Sequence, residues 1–141
     1  DLGTSTAQNP SYTYIAAGSY TVRLIVSSSA GSDTLSRASY IAACAPPVAD
    51  FSGTPTGGLG PLITQFTDQS TAGSSPITSW SWSFGDGGTS ADPSPSHIYL
   101  LPGSYTVSLT VGTACSQSTA TKPGYITVGT LSQSREAFPG Y

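Results

Sequence analysis

The chain has 141 residues, only 8% of them charged, and a formal net charge of −3. Its four cations are scattered along the sequence, at Arg23, Arg37, Lys122 and Arg135, whereas a nucleic-acid groove or an anionic membrane surface requires clustered positive charge. Neither partner is therefore expected. No apolar run approaches the roughly 18 to 20 residues of a membrane-spanning helix, and no basic-then-apolar signal peptide opens the chain.

Hydroxyl side chains dominate the composition. Ser and Thr fill 44 of the 141 positions, Glu136 is the single glutamate, and there is no Met. Such a composition disfavours helices and suits strands with polar, uncharged outer faces. The 16 Gly and 11 Pro divide the chain into short segments. We therefore predict an all-β protein.

The sequence also repeats itself. Residues 1–43 align with residues 86–128 at a constant offset of 85 and without a gap. For example, GSYTVRLIV in the first segment aligns with GSYTVSLTV in the second. This period is longer than the roughly 20 to 50 residues of solenoid repeats, so each unit is expected to be a domain with its own core. Residues 1–43 would be the C-terminal half of a first unit, 45–128 a complete unit, and 129–141 a linker or tail.

About seven short strands are predicted in the complete unit, because apolar and polar residues alternate with period two between clusters of turn residues. In chain order they span 47–52, 62–68, 77–84, 96–100 and 105–111, and the last strand consists of 118–121 and 125–128, interrupted by KPG. Strands of this length and spacing predict a two-sheet antiparallel sandwich of the immunoglobulin-like plan. Val107 occupies the position of the second core cysteine of an antibody domain, so no disulfide between the sheets is expected there.

The strand at 77–84 is the most informative. Trp80, Trp82 and Phe84 alternate with serines, which gives one aromatic face and one hydroxyl face. We expect both tryptophans to lie in the core. An exposed Trp80 would instead favour stacking on sugar rings. The GDGG sequence that follows allows positive φ in a tight turn.

The two cysteines, Cys44 and Cys115, are 71 positions apart. A zinc site would need two further ligands, and His97 is the only histidine of the chain. The cysteines are thus either a disulfide or two separate small apolar residues. In the first unit Ala30 stands at the position of Cys115, so a disulfide would be local to the second unit.

Five stretches closely resemble a PKD domain: PVADFSGTP, PLITQFTDQST, SWSWSFGDGGTS, PSHIY and PGSYTVSLTV. The most specific motif is WSFGDG at 82–87, and the first copy departs from it at Leu2. The resemblance implies an immunoglobulin-like module of secreted or cell-surface proteins, with spacer, adhesive or binding roles and neither catalysis nor a cofactor. The residues that match the motif are Trp80, Trp82, Phe84, Gly85, Asp86, Gly87, Tyr99, Tyr105 and Val107.

Asp86 is the residue most easily mistaken for a catalytic acid. We expect its carboxylate to accept backbone N–H bonds and fix the turn. A calcium site with Asp92 is the weaker alternative, because calcium takes six to eight oxygen ligands. His97 is expected to be structural, since the sequence supplies no paired nucleophile. Glu136 lies in the tail, so no pair of carboxylates fits glycoside hydrolysis.

The half unit raises a question of assembly. Four apolar side chains would face water unless strands from elsewhere cover them: Tyr20, Val22, Leu24 and Val26. A longer repeat protein could supply those strands, as in a stalk or adhesin, or another chain could, as in a fibre built by strand donation. The favoured interpretation is a non-catalytic structural or adhesive module at the cell surface, in contact with neighbouring units, copies of the chain, or a polysaccharide or protein matrix. An accessory carbohydrate- or protein-binding module of an extracellular hydrolase is the alternative.

Overall fold

The structure is a computed structural model that describes residues 3–130. Within that range it contains ten β-strands and no helix, which confirms the all-β prediction. The expectations for Leu2, Glu136 and the tail after Thr130 lie outside the described residues. The strands are β1 (Gly18–Ser28), β2 (Gly31–Ala43), β3 (Phe51–Thr54), β4 (Gly57–Leu59), β5 (Leu62–Asp68), β6 (Ile77–Ser83), β7 (Thr89–Ser90), β8 (Ser96–Tyr99), β9 (Gly103–Thr113) and β10 (Gln117–Gly129).

These strands form a hairpin and a sandwich. Strands β1 and β2 pair with each other in a two-stranded antiparallel sheet, the N-terminal hairpin. Strands β3 to β10 form the sandwich, with one sheet in the order β4-β10-β9-β6-β7 and the other in the order β3-β5-β8. All pairs are antiparallel except β4 with β10. This is the predicted immunoglobulin-like architecture.

The core of the sandwich is aromatic. The indole of Trp82 lies 5.2 Å from the ring of Phe51 and 5.4 Å from that of Phe66, in edge and tilted contacts that suit aromatic pairs. Burial of a large apolar side chain contributes about 1.5–3 kcal/mol. Among residues 3–130 the fully buried polar residue is Thr64, whose hydroxyl donates to the carbonyl of Pro55 at 2.8 Å. The buried apolar residues are Phe51, Leu62, Phe66, Trp82, Phe84, Tyr99, Val107, Leu109, Val111, Ile126 and Val128.

Three predicted features differ from the structure. The first strand of the sandwich begins at Phe51 and not at Pro47, because proline has no N–H for a ladder, and only Val48 pairs there, in an isolated bridge to Thr71. The predicted loop between the first two strands contains β4, which pairs in parallel with the end of β10. The predicted break at Lys122 is a bulge within one continuous strand, β10.

The N-terminal hairpin has the same register as β9 and β10. Leu24 pairs with Leu35 in the hairpin, as Leu109 pairs with Ala120 in the sandwich. Each of these pairs lies 85 positions from its counterpart. Both hairpins have a register shift at the same place, so the repeat seen in the sequence extends to the backbone.

A tyrosine fixes the start of each of these hairpins in the same way. The hydroxyl of Tyr20 donates to the carbonyl of Ala16 at 2.7 Å, and that of Tyr105 donates to the carbonyl of Leu101 at 2.7 Å. Tyr105 thus holds the preceding turn beside the buried Val107, in the manner of a tyrosine corner. The half unit therefore has the local geometry of a complete one.

Candidate functional site: the GDGG turn and the inter-unit junction

The turn after β6 depends on its glycines. The amide of Phe84 donates to the carbonyl of Gly88 at 3.1 Å and closes the turn. Gly85 has a φ of 87° and Gly87 a φ of 96°, a region that L side chains rarely adopt. A Cβ at Gly85 would also lie 2.4 Å from the carbonyl oxygen of Thr106. Another residue at position 85 would therefore displace β6 from β9.

Asp86 holds this turn with both carboxylate oxygens. Its Oδ1 accepts the amide proton of Gly88 at 2.9 Å, and its Oδ2 lies 2.8 Å from Nε2 of His97. Partial burial by itself raises the pKa of Asp86, but the hydrogen bonds from His97 and Gly88 outweigh it, so the pKa lies below its ordinary value of 3.8. The side chains of His97 and Asp86 are 19% and 23% exposed. The carboxylate thus stays ionised while it fixes the turn.

His97 connects the turn to the aromatic core. Its ring stacks on Phe84 with 4.1 Å between centroids and an angle of 11°, and it meets Tyr99 edge-on at 4.8 Å. The hydroxyl of Tyr99 donates to the carbonyl of Phe84 at 3.1 Å, and burial raises the pKa of Tyr99 well above its usual 10.0. In the described part of the chain the imidazole bonds to Asp86 alone, so the pair has no hydroxyl or thiol to activate.

Asp92, the second acidic residue of the weaker calcium interpretation, makes different contacts from Asp86. The main-chain carbonyl of Asp92 accepts the indole proton of Trp82 at 2.9 Å, and its amide donates to Oγ of Ser90 at 3.1 Å. Among residues 3–130, no group of three or more His, Cys, Asp or Glu side chains is placed to hold a metal ion. The structure thus gives Asp86 and Asp92 separate structural partners.

Trp80 and Trp82 lie on the same face of β6 but differ in burial. Trp82 is buried, whereas Trp80 is half-buried at the edge of the core. The indole N–H of Trp80 donates to Oδ2 of Asp68 at 2.6 Å. The ring is thus anchored to β5 and is not a freely exposed platform for a sugar.

The junction between the hairpin and the sandwich contains a disulfide. Cys44 directly follows β2 and is bonded to Cys115 in the turn between β9 and β10, with 6.0 Å between the two Cα atoms. The next residue, Ala45, receives a second attachment. Its amide donates to Oγ of Ser74 at 2.9 Å, and its carbonyl accepts the amide proton of Ser74 at 3.1 Å. The chain is therefore fixed to the sandwich as soon as it leaves the hairpin.

Sequence reasoning missed the role of Lys122. Its ammonium forms an ion pair with Asp50 at 2.9 Å, donates to the carbonyl of Phe51, and lies 4.6 Å from the centre of that ring. The hydrogen bond from Lys122 lowers the pKa of Asp50. A signal was present in the repeat, because Arg37 occupies the equivalent position of the first unit and lies 5.1 Å above the ring of Tyr40. Both copies of the repeat therefore have a cationic side chain at this position.

In residues 3–130 there is no helix that is long and apolar enough to cross a membrane. Fold and site together define a class of module, an immunoglobulin-like sandwich whose core and hairpin turn are fixed by a WSFGDG motif. The sequence profile of the PKD domain matches residues 1–43 and again residues 44–128. The chain belongs to the PKD domain family, as its resemblance predicted.

Solved structures support this assignment. The PKD1 domain from the Vibrio cholerae metalloprotease PrtV is 30% identical with a TM-score of 0.51, and the match covers 60% of this chain and 98% of that one. The PKD1 domain of Vibrio anguillarum Epp is 31% identical with a TM-score of 0.53, covering 61% and 99%. A structure of carbohydrate-binding modules from the β-sandwich superfamily is 26% identical with a TM-score of 0.55, covering 60% and 36%. No curated protein sequence is significantly similar to the chain.

Proposed function

We propose that this chain is a non-catalytic structural module of a secreted or cell-surface protein, in which successive PKD units set the spacing between other parts. The junction carries the proposal. Between the end of β2 at Ala43 and the sandwich there is no free linker, because Cys44 is bonded to Cys115 and Ala45 to Ser74. A connection attached at each successive residue suits a spacer better than a flexible tether.

Two properties support an extracellular location. Disulfides persist in oxidising compartments and are rare in the cytosol, and Cys44 and Cys115 form one here. The composition, rich in Ser and Thr with 8% charged residues, gives a polar, uncharged surface. Neighbouring units, copies of the chain, or a polysaccharide or protein matrix are the partners that such a module would contact.

The geometry of the turn supports a non-catalytic role. The carboxylate of Asp86 is engaged by Gly88 and His97, and the imidazole is stacked on Phe84. Among the described residues no hydroxyl or thiol is hydrogen-bonded to the imidazole of His97, so the pair has no nucleophile beside it and its contacts are those that fix the turn.

Limited proteolysis tests the spacer role. The oxidised chain is treated with a nonspecific protease and compared with a Cys44→Ser/Cys115→Ser variant. We expect cuts between residues 43 and 52 to be much slower in the oxidised chain, because its backbone there is fixed to the sandwich. Equal rates of cutting in the two proteins would contradict the proposal. Cuts in the tail after Thr130 serve as the internal reference.

An accessory carbohydrate-binding role is the second candidate, and the 26% identity to carbohydrate-binding modules favours it. It requires an aromatic platform, for which Trp80 is the nearest choice. Affinity electrophoresis through polysaccharide gels, with Trp80→Ala as the control, separates the two roles. Retardation that Trp80→Ala abolishes would favour binding, whereas the spacer role predicts equal migration of both proteins.

A further inference from the structure

The two cysteines of the junction disulfide differ in their exposure to solvent. Cys44 is exposed and lies between Ala43 and Ala45, whose side chains are single methyl groups. Cys115 is half-buried in the turn between β9 and β10. The rate at which a thiolate opens a disulfide depends on which sulfur it can reach. A thiolate in solution therefore reaches the sulfur of Cys44 more readily than that of Cys115.

A hydroxyl group donates a hydrogen bond to the less exposed sulfur. Oγ of Ser75 lies 3.3 Å from Sγ of Cys115. A disulfide sulfur carries no proton, so the hydroxyl of Ser75 is the donor. Such a bond becomes stronger when the acceptor is ionised, and it therefore stabilises negative charge that develops on Cys115. Among residues 3–130, the sulfur of Cys44 has no such donor.

The turn that carries Cys115 is closed by its own hydrogen bonds. The amide of Thr113 donates to the carbonyl of Ser116 at 2.9 Å. Oγ1 of Thr113 accepts the amide protons of Cys115 and Ser116, each at 3.2 Å. These bonds do not involve a sulfur, so they remain when the disulfide is broken. A free sulfur at Cys115 therefore stays beside the hydroxyl of Ser75.

The junction has room for a small attacking group. Strand β2 ends at Ala43, and the backbone of Ala45 is already bonded to Ser74 through its amide and its carbonyl. Cys44 is thus a single residue between two fixed points. This arrangement favours a thiol of low molecular weight over a folded protein as the reactant.

We propose that Cys44 is a site of thiol–disulfide exchange, at which a small thiol becomes covalently attached. The thiolate sulfur forms a bond to Sγ of Cys44, the bond between the two cysteine sulfurs breaks, and its electron pair stays on Cys115 beside Ser75. One thiolate is consumed and one is formed, so no further oxidant or reductant is needed. Return attack by Cys115 on Cys44 expels the small thiol and closes the disulfide again.

The exchange acts on the connection between the two copies of the repeat. In the closed form the end of β2 is joined covalently to the turn between β9 and β10. With a small thiol on Cys44, the hydrogen bonds between Ala45 and Ser74 hold the junction without that covalent bond. The junction is thereby responsive to the concentration of thiol. The inference does not depend on the spacing role, because it requires only the disulfide and Ser75.

Trapping of the first adduct tests the proposal on the oxidised full chain. Reduced glutathione is the probe, and the reaction is stopped early with acid and N-ethylmaleimide, which blocks the released thiol. Mass spectrometry of peptic peptides then shows which cysteine carries each group. We expect glutathione on Cys44 and maleimide on Cys115 in about tenfold excess over the reverse arrangement, because a hydrogen bond to a charged acceptor favours one product by at least about that factor.

Variants of neighbouring serines identify the donor. Ser75→Ala removes the hydroxyl and should lower the excess from about tenfold to about twofold, whereas Ser75→Thr keeps a hydroxyl and should restore it. Ser74→Ala is the matched control, because Oγ of Ser74 bonds to the amide of Ala45 and not to a sulfur. It should leave the excess unchanged.

A second measurement uses each thiol separately and does not require the disulfide to form. Alkylation by iodoacetamide follows the thiolate fraction of a cysteine. Cys115 in a Cys44→Ser variant should therefore react with a midpoint at lower pH than Cys44 in a Cys115→Ser variant. Addition of Ser75→Ala to the first variant should remove this difference.

Three results would overturn the proposal. Glutathione that is distributed equally between the cysteines, or that lies mainly on Cys115, contradicts the direction of attack. An unchanged excess in Ser75→Ala shows that the hydroxyl takes no part. Absence of any adduct at glutathione concentrations that open an exposed disulfide in a reference peptide excludes the site. None of these results bears on the spacing role, which limited proteolysis of the oxidised chain tests separately.

Discussion

Ser39 has the same left-handed backbone as Gly124, with φ angles of 52° and 57°. The two residues lie at equivalent positions of the two hairpins, within the register shifts of β2 and β10. A non-glycine residue rarely adopts this conformation. The bulge is thus present in both copies of this chain, even at Ser39, where the residue type does not favour it.

Gly124→Ala should destabilise the sandwich. The left-handed conformation costs an alanine about 1–2 kcal/mol, and its Cβ would lie 3.1 Å from Oγ of Ser104. We expect the melting temperature to fall by roughly 5–15 °C, at about 4–8 °C per kcal/mol for a domain of this size. Ser39→Gly is the matched control and should leave the melting temperature of the sandwich unchanged. An unaltered Gly124→Ala melting curve would show that the bulge is not strained.

The equivalent leucines should respond very differently to truncation. Leu109→Ala removes a fully buried side chain and should cost about 2–5 kcal/mol. Leu24→Ala removes one that is 57% exposed and should cost at most about 0.5 kcal/mol. Denaturant unfolding followed by tryptophan fluorescence measures both. Similar costs would mean that the hairpin is covered in solution by something else.

Reduction of the disulfide should lower the stability of the sandwich. The bond closes a long loop, with a separation of 71 residues, so its loss should cost about 4 kcal/mol and lower the melting temperature by at least about 15 °C. Calorimetry with and without reductant gives this difference. The Cys44→Ser/Cys115→Ser variant should have the melting temperature of the reduced chain, and reductant should not change that temperature.

Tyr99 should limit stability in alkali. Burial raises its pKa above 10.0, so above that pH the unfolded chain loses a proton that the folded chain keeps. The free energy of unfolding should therefore fall as the pH rises above 10, by about 1.4 kcal/mol per pH unit from this residue. Tyr99→Phe lacks the proton and should show a shallower fall. The same slope in both proteins would assign the alkaline loss to other groups.

Protonation of Asp86 should lower the stability of the sandwich at acid pH. Its pKa is lowered below 3.8 by His97 and Gly88 despite partial burial, so the stability it contributes is present above that pH and is lost as the pH falls through the folded-state value. Asp86→Asn should be less stable at neutral pH by about 1 kcal/mol and should depend less on pH below 4. Urea unfolding at a series of pH values would detect this, and parallel pH profiles would contradict it.

The architecture could be predicted because its signals are local. Alternation along Trp80 to Phe84 specified a strand with one aromatic face, and the structure places Trp82 and Phe84 in the core. The glycines of the turn indicated positive φ, which Gly85 and Gly87 have. The repeat specified that two segments share one design, and their register agrees pair by pair.

The remaining features depend on contacts between distant segments. Strand β4 exists only because β10 passes beside it, and the glycines at 57 and 58 gave no strand signal. In the sequence Lys122 is a cation with no charged neighbour, whereas in the structure it bonds to Asp50 and Phe51. Whether Cys44 and Cys115 were bonded could not be decided from their spacing, because a separation of 71 residues says nothing about distance in space.

The bond between Cys44 and Cys115 also changes how the sandwich carries load. A tensile force applied at the N-terminal side is transmitted from Cys44 through the disulfide to Cys115. The backbone between these two residues, which are 71 positions apart, therefore bears none of that force. Between Cys115 and Gly129 the fully extended backbone spans about 50 Å, most of which is already extended as β10, compared with about 300 Å between Cys44 and Gly129 in the reduced chain, at about 3.3–3.6 Å per residue. With the disulfide intact, the sandwich can extend very little under force. After reduction it can unfold, and the end-to-end length of the stretched molecule increases.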